Sequence, residues 1–321
     1  MSAPGEAELE LSIVVTLYRS SAYVRDFYAR AVKAAEAVTT SFELVFIDDG
    51  SPDDSAAIVR EFGARDPRVV LVELSRNFGH HEAALAGLAT ARGARIFIID
   101  ADLEEQPEWL GEFWTELNAT GADVVFGVND LRQGSPLRRI GGALFWRIFN
   151  ALSNTQLPLD PCTVRLMERR YVDALLQLPE RNVFLAGNYA WLGFEQVARH
   201  VRKAARREPS SYSVARLVGL FVEALTSYSA YPLQVIFFVG LLIAFVAVAA
   251  GAWLVVQKVL YPETILMGWP SLIVSIWFLG GVNICFIGIV GTYLSKVFVE
   301  VKQRPIYVIR RLERFPAPEV P

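Results

Sequence analysis

Two stretches without a single charged side chain set the tightest limit on this fold: Pro232 to Val256, and Thr264 to Ser295. Each exceeds the roughly 20 apolar residues a helix needs to cross a bilayer, and within lipid only a helix or a closed barrel satisfies its own backbone. A hairpin buried in a soluble core is the alternative, but uncharged runs of this length argue against it. The chain therefore reads as transmembrane helices over 231–257 and 264–295, preceded by a separate domain. Tyr228, Tyr231 and Trp269 stand where an interfacial aromatic belt would lie.

A net charge of −3 says little by itself; its distribution says more. Arg199, Arg202, Lys203, Arg206, Arg207 and Arg216 precede the first run, and Lys296, Lys302, Arg304, Arg310, Arg311 and Arg314 follow the second, whereas the connector Gln257 to Glu263 carries only Lys258. By the positive-inside rule both flanks are cytoplasmic and the hairpin tip faces outward. Met1 to Glu10 is polar and acidic, unlike a secretory leader. The expected location is thus the cell (inner) membrane, multi-pass, with the amino-terminal domain and both termini in the cytoplasm. Val214, Leu217, Val218, Phe221 and Leu225 recur at helical spacing, so 213–230 reads as an amphipathic segment along the bilayer surface, and 296–321 as a basic tail.

Ahead of these, 1–212 alternates strand-length apolar runs with helix-length segments. Leu11–Tyr18, Leu44–Ile47, Val69–Leu74, Ile96–Ile99 and Asp123–Gly127 read as strands; Tyr23–Val38, Ser55–Phe62 and His81–Ala91 read as helices. That alternation predicts an α/β domain with a mostly parallel sheet and helices on both faces. Two strands end in carboxylates, at Asp48-Asp49-Gly50-Ser51 and at Asp100-Ala101-Asp102-Leu103-Glu104. Paired carboxylates at the carboxyl end of a buried strand, where such sheets bind ligands, can hold a divalent cation against a diphosphate.

Taken in order along the chain, these motifs resemble glycosyltransferase family 2 with the GT-A fold, and within it the polyprenyl-phosphate (dolichyl-phosphate-type) sugar transferases. Val14-Val15-Thr16-Leu17-Tyr18 is similar to the family's opening Val-Val-Pro-x-Tyr strand, Asp48-Asp49-Gly50-Ser51 to its nucleoside-binding element, Ser75-Arg76-Asn77-Phe78-Gly79 to its turn, and Asp100–Glu104 to its metal-binding Asp-Ala-Asp-Leu-Gln. Arg165-Leu166-Met167, Leu178–Asn182 and Trp191–Phe194 follow in the family's order. Three places depart from the pattern: Thr16 with Arg19-Ser20, Thr163 in place of an acidic residue, and Glu208–Tyr212 without its Lys.

The resemblance implies a metal-dependent inverting hexosyltransferase that moves a sugar from a UDP- or GDP-linked donor to a membrane polyprenyl phosphate, for cell-envelope glycan or glycoconjugate modification. It implies Thr16, Tyr18, Asp49, Asn77, Asp100 and Ala101 at the nucleotide, and Mg²⁺ or Mn²⁺ on Asp100, Asp102 and Glu104. Asp102 and Asp160 would be catalytic, and Arg138, Arg139, Arg165, Arg206 and Arg207 would hold the acceptor phosphate, since guanidinium forks match phosphate oxygens. A processive polysaccharide synthase is a rival reading, but no Trp here follows an Arg as its acceptor motif requires. A non-catalytic nucleotide-sugar-binding membrane module is a third. A dinucleotide oxidoreductase is excluded because no Gly-x-Gly-x-x-Gly follows the first strand. No nucleic-acid signature is present, and assembly into a homo-oligomer is allowed.

His80 and His81 follow the Asn-Phe-Gly turn, where contact with a diphosphate is one reading and a solvated helix start the simpler one, since no Cys or further His completes a metal set. Cys162 and Cys285 imply no disulfide. Trp109, Trp114, Trp146 and Trp191 read as packing residues.

Overall fold

The computed structural model describes residues 9–129, 161–178, 180–181, 183–204, 231–261 and 268–316. The chain divides into two units: one from residues 1–147, 155–212 and 304–321, the other from 148–154 and 213–303.

The first unit is built on an eight-stranded sheet. β1 (Leu11–Leu17), β2 (Phe42–Asp48), β3 (Val69–Leu74) and β4 (Arg95–Asp100) pair in parallel in the order β4-β1-β2-β3. β1 and β2 are buried along almost their whole length, as continuous apolar runs require when both faces of a sheet are covered. The helices between these strands, α1 (Val24–Glu36), α2 (Ser55–Gly63) and α3 (His80–Thr90), match the expected segments to within a few residues. α1 turns Val24, Phe27, Ala31, Ala34 and Ala35 into one core, which also takes α2 and α4 (Trp109–Thr120). The opposite face packs α3 and α5 (Arg169–Leu176) on Val14, Val45, Ile47 and Ile98. α6 (Leu185–Trp191) contributes Leu185 and Tyr189 there.

Beyond β4 the sheet is mixed. β6 (Pro161–Glu168) runs antiparallel between β4 and β5 (Val124–Asn129), and β7 (Gln196–Val201) closes that side parallel to β5. At the other edge lies β8 (Ile309–Arg314), antiparallel to β3. The expected basic tail over 296–321 is therefore divided. Helix continues to Lys302, and the residues from Arg304 onward belong to the sheet-bearing unit. Trp191, expected to pack, is 62% exposed.

In the second unit α7 (Tyr231–Leu260) and α8 (Trp269–Lys302) are long and apolar enough to cross a membrane over Leu233–Trp253 and Ser275–Lys302. Among their described residues most large apolar side chains are exposed and none is buried inside protein. Helix thus runs past both expected carboxyl ends, to Leu260 rather than Gln257 and to Lys302 rather than Ser295.

Candidate active site

β1 leads to β2 on one side, while β4 lies on its other side, so strand order reverses between β1 and β4. In open α/β sheets the crevice beyond the strand ends at such a reversal is where ligands bind. Thr16 and Asp100 are register partners across that gap. The Thr16 hydroxyl donates to Asp100 Oδ1 at 3.2 Å and lies 3.3 Å from His80 Nδ1. The His80 ring nitrogen is in turn 3.6 Å from the same carboxylate oxygen. The proline of the family pattern carries no hydroxyl, so this contact belongs to the departure at Thr16. His80 is the exposed first residue of α3, as the sequence reading has it, and its ring also meets Thr16 and Asp100.

The loop after β4 is held in a costly conformation. Leu103 has φ +62°, a left-handed backbone that a γ-branched residue adopts only when its surroundings enforce it. The Glu104 N–H donates to Asp102 Oδ1 at 2.9 Å, closing a short turn around it. Asp102 is exposed at its edge, yet the protein packed around its carboxyl raises its pKa, and the charges of Asp100 and Glu104 raise it further.

Among the described residues no three His, Cys, Asp or Glu side chains are gathered closely enough to hold a metal ion, so the expected closed set of Asp100, Asp102 and Glu104 is not preassembled. Two carboxylates within each other's field do fit a Mg²⁺ or Mn²⁺ ion that keeps several waters and takes its remaining ligands from substrate phosphates.

Asp49 has a task of its own. Its two carboxylate oxygens accept the Phe78 and Gly79 N–H groups at 2.7 and 3.0 Å, fastening the Ser75–Gly79 turn to the end of β2. Gly50, at φ +62°, lets that turn approach; a Cβ there would lie 2.6 Å from the Arg76 and Asn77 backbone. Gly79, at φ +126°, is the N-cap residue of α3, where a side chain would strain the chain. Tyr18 and Asn77 are exposed at this rim, and Ala101 is buried beneath it.

Sequence reasoning passed over Glu105. Its side chain is buried, with Oε1 accepting the Thr163 N–H at 3.0 Å and the Lys203 ammonium at 2.7 Å. Its Oε2 is buried without a hydrogen-bond partner. Burial, then the Asp100 charge, raises the Glu105 pKa; burial opposes but Glu105 outweighs it in raising that of Lys203. The only signal in the sequence was a further carboxylate directly after Asp100–Glu104.

Arg165, expected at the acceptor phosphate, is not at the surface. It is 3% exposed, its guanidinium 3.9 Å from the centre of the Tyr189 ring and 5.1 Å from that of Phe126, and its Nε is buried without an acceptor. Burial lowers its pKa. Asp160, Arg138, Arg139, Arg206 and Arg207 lie outside the described residues, as does the amphipathic segment 213–230. A recess of about 230 Å³ lined by Arg95, Asn118, Glu168 and Arg170 opens where β4 begins and β6 ends, away from these carboxylates.

The chain matches the glycosyl transferase family 2 model over residues 12–176. It is 44% identical over 95% of its length, and 88% of the relative's, to a protein of Mycobacterium tuberculosis (strain CDC 1551 / Oshkosh) that bears a glycosyltransferase name. It is 33% identical to the bactoprenol glucosyl transferase of Shigella phage SfII, covering 95% of this chain and 99% of that one. Among solved structures, a mannosyltransferase from Pyrobaculum calidifontis in complex with GDP-Man and Mn²⁺ is 14% identical over 92% of this chain and 87% of that one, with a TM-score of 0.48. With a GT-A-like mixed sheet, carboxylates at its strand-order reversal and a family match spanning half the sequence, this chain belongs to glycosyltransferase family 2.

Proposed function

We propose that the protein transfers a sugar, with inversion, from a nucleotide-sugar donor to a membrane polyprenyl phosphate. The observation that carries the donor half is the Thr16–Asp100 pair at the strand-order reversal, with Asp102 two residues on and the α3 amino end beside it. Asp100 and Asp102 would hold a Mg²⁺ or Mn²⁺ ion, which when bound supplies positive charge to the departing nucleoside diphosphate. Thr16 and His80 orient Asp100, and Asp49 keeps the Ser75–Gly79 turn against the nucleotide rim.

The acceptor half is supported by relatives named for bactoprenol that match nearly end to end. A phosphate monoester with a second pKa near ~6 is largely ionised at neutral pH and attacks without a strong general base. That accommodates Thr163, whose N–H is already committed to Glu105, and leaves Asp160 to orient the acceptor. The phosphate grip would fall to Arg138, Arg139, Arg206 and Arg207, with Arg165 buried in the core. Residues 213–230 would lie along the bilayer and 231–257 and 264–295 would cross it, with α7 and α8 supplying the apolar spans Leu233–Trp253 and Ser275–Lys302. β8 supports the topology: a chain that leaves a domain for the membrane and rejoins the same sheet crosses an even number of times. The catalytic domain and both flanks would share the cytoplasmic side of the cell membrane, where nucleotide sugars are made.

Thermal melting of the detergent-purified protein tests the donor half. UDP or GDP should raise the midpoint only with Mn²⁺ or Mg²⁺ present, because a ligand that binds only the native state stabilises it by mass action. No response to either nucleotide with either ion would count against this reading.

A further inference from the structure

We propose that Glu105 is a positioning residue of the transfer site, acting through Lys203 and the Thr163 N–H to hold the Asp100–Glu104 loop in the geometry that a cation and a diphosphate require. The proposal rests on the metal-dependent transferase reading above.

Glu105 joins three separate stretches of chain. It sits in the loop after β4, accepts a backbone hydrogen bond from β6, and binds a lysine just beyond β7. A second tie runs in parallel, the Ala204 N–H donating to the Glu104 carbonyl at 2.8 Å. The strained Leu103 lies between Asp102 and this double anchor, so the anchor is what enforces its left-handed backbone. Glu105 is buried and its Oε1 is already used twice, and among the described residues it joins no set of three side chains able to hold a metal ion, so its part is to position the loop. A buried ion pair is weak evidence for stability, since apolar residues of similar volume serve as well; fixing a conformation is the better-supported return. The Asp100 charge adds to those that raise the Lys203 pKa, and the Lys203 charge offsets part of the rise at Asp102.

The experiment compares full-length wild type in detergent with Glu105→Gln, Lys203→Met, Lys203→Arg and the double variant Glu105→Gln/Lys203→Met. Free Mn²⁺ is titrated by electron paramagnetic resonance with UDP or GDP present, and folding is followed by thermal circular dichroism. Groups that orient metal ligands typically cost roughly 10–100-fold in metal affinity or activity when removed. Glu105→Gln and Lys203→Met should each lose Mn²⁺ affinity on that scale and melt lower, because each leaves one member of the pair unpaired, and Lys203→Arg should recover most of the affinity. The double variant leaves no uncompensated buried charge and should still bind Mn²⁺ weakly. Wild-type Mn²⁺ affinity in Glu105→Gln, or its recovery in the double variant, would overturn the positioning role while leaving the transferase reading intact. Wild type that binds no Mn²⁺ with either nucleotide would instead remove the metal assignment, and this proposal with it.

Discussion

Arg314, which lies beyond the second long apolar helix, donates to the buried Glu43 on β2 at 3.1 Å. Glu43 also accepts the Ser12 hydroxyl and the Arg92 N–H, each at 2.7 Å, so a carboxylate in the sheet interior depends in part on a residue delivered by the end of the chain. Arg60 of α2 pairs with both Glu73 and Glu313, adding a second cross-link from β8. Arg314→Ala should destabilise the sheet-bearing unit by about 1–3 kcal/mol, the range for leaving a buried polar group short of a partner. Truncation after Gln303 should be worse, because it also exposes the edge of β3. Chemical denaturation of the detergent-solubilised protein measures the first, and size-exclusion chromatography shows aggregation in the second.

The same strand has a topological consequence. Reporter fusions after Arg314 should read cytoplasmic, and an insertion near Pro262 should read extracytoplasmic. A cytoplasmic signal at Pro262 would mean that the hairpin does not cross.

Asp48 provides a pH test of the donor-side fold. Burial pushes its carboxyl from its ordinary value near 3.8 up to about 6, the Ser51 N–H only partly offsetting this. Between these values the folded state binds more protons than the unfolded one, so this group lowers stability as pH rises from about 4 to about 6. The penalty is fully present above pH 6 and absent below pH 4. At about 1.4 kcal/mol per pKa unit it amounts to roughly 3 kcal/mol at neutral pH. Asp48→Asn should therefore raise the melting temperature at pH 7 and do little at pH 4. Equal effects at both would contradict the assignment.

Arg165 separates packing from ligand binding. Its ring contacts are worth about 2 kcal/mol when desolvated, while an unpartnered buried donor costs about 1–3 kcal/mol. Arg165→Met should therefore change stability little and leave the apparent KM for polyprenyl phosphate largely unchanged. A large rise in that KM would return Arg165 to the acceptor site.

How much of this was legible in the sequence depends on how local each signal is. β1 through β4 and α1 through α3 are buried apolar runs bounded by turn residues, and Asp49, Asp100 and Asp102 fall at strand ends that such runs define. β8 was not legible, because Ile309-Arg-Arg-Leu-Glu-Arg carries the charge of an edge strand and reads as a basic tail. The antiparallel insertion of β6 depends on pairing between strands far apart in sequence. Glu105 and Lys203 were invisible for the same reason: each is an ordinary charged residue until the fold buries one against the other. For Arg165 the sequence shows an arginine among family landmarks, which suggests a phosphate, while its burial against Tyr189 is a property of the sheet face that no local signal carries.

The most direct test of the central claim is transfer itself. Purified wild type, supplied with radiolabelled UDP- or GDP-sugars, Mn²⁺ and polyprenyl phosphate, should carry label into an organic phase, and mild acid should release it. The signal should vanish without the lipid phosphate, with excess chelator, and in Asp102→Asn, which removes charge while preserving volume. Label passing to water, protein or a growing glycan with no lipid-linked product, or full turnover by Asp102→Asn, would contradict the account.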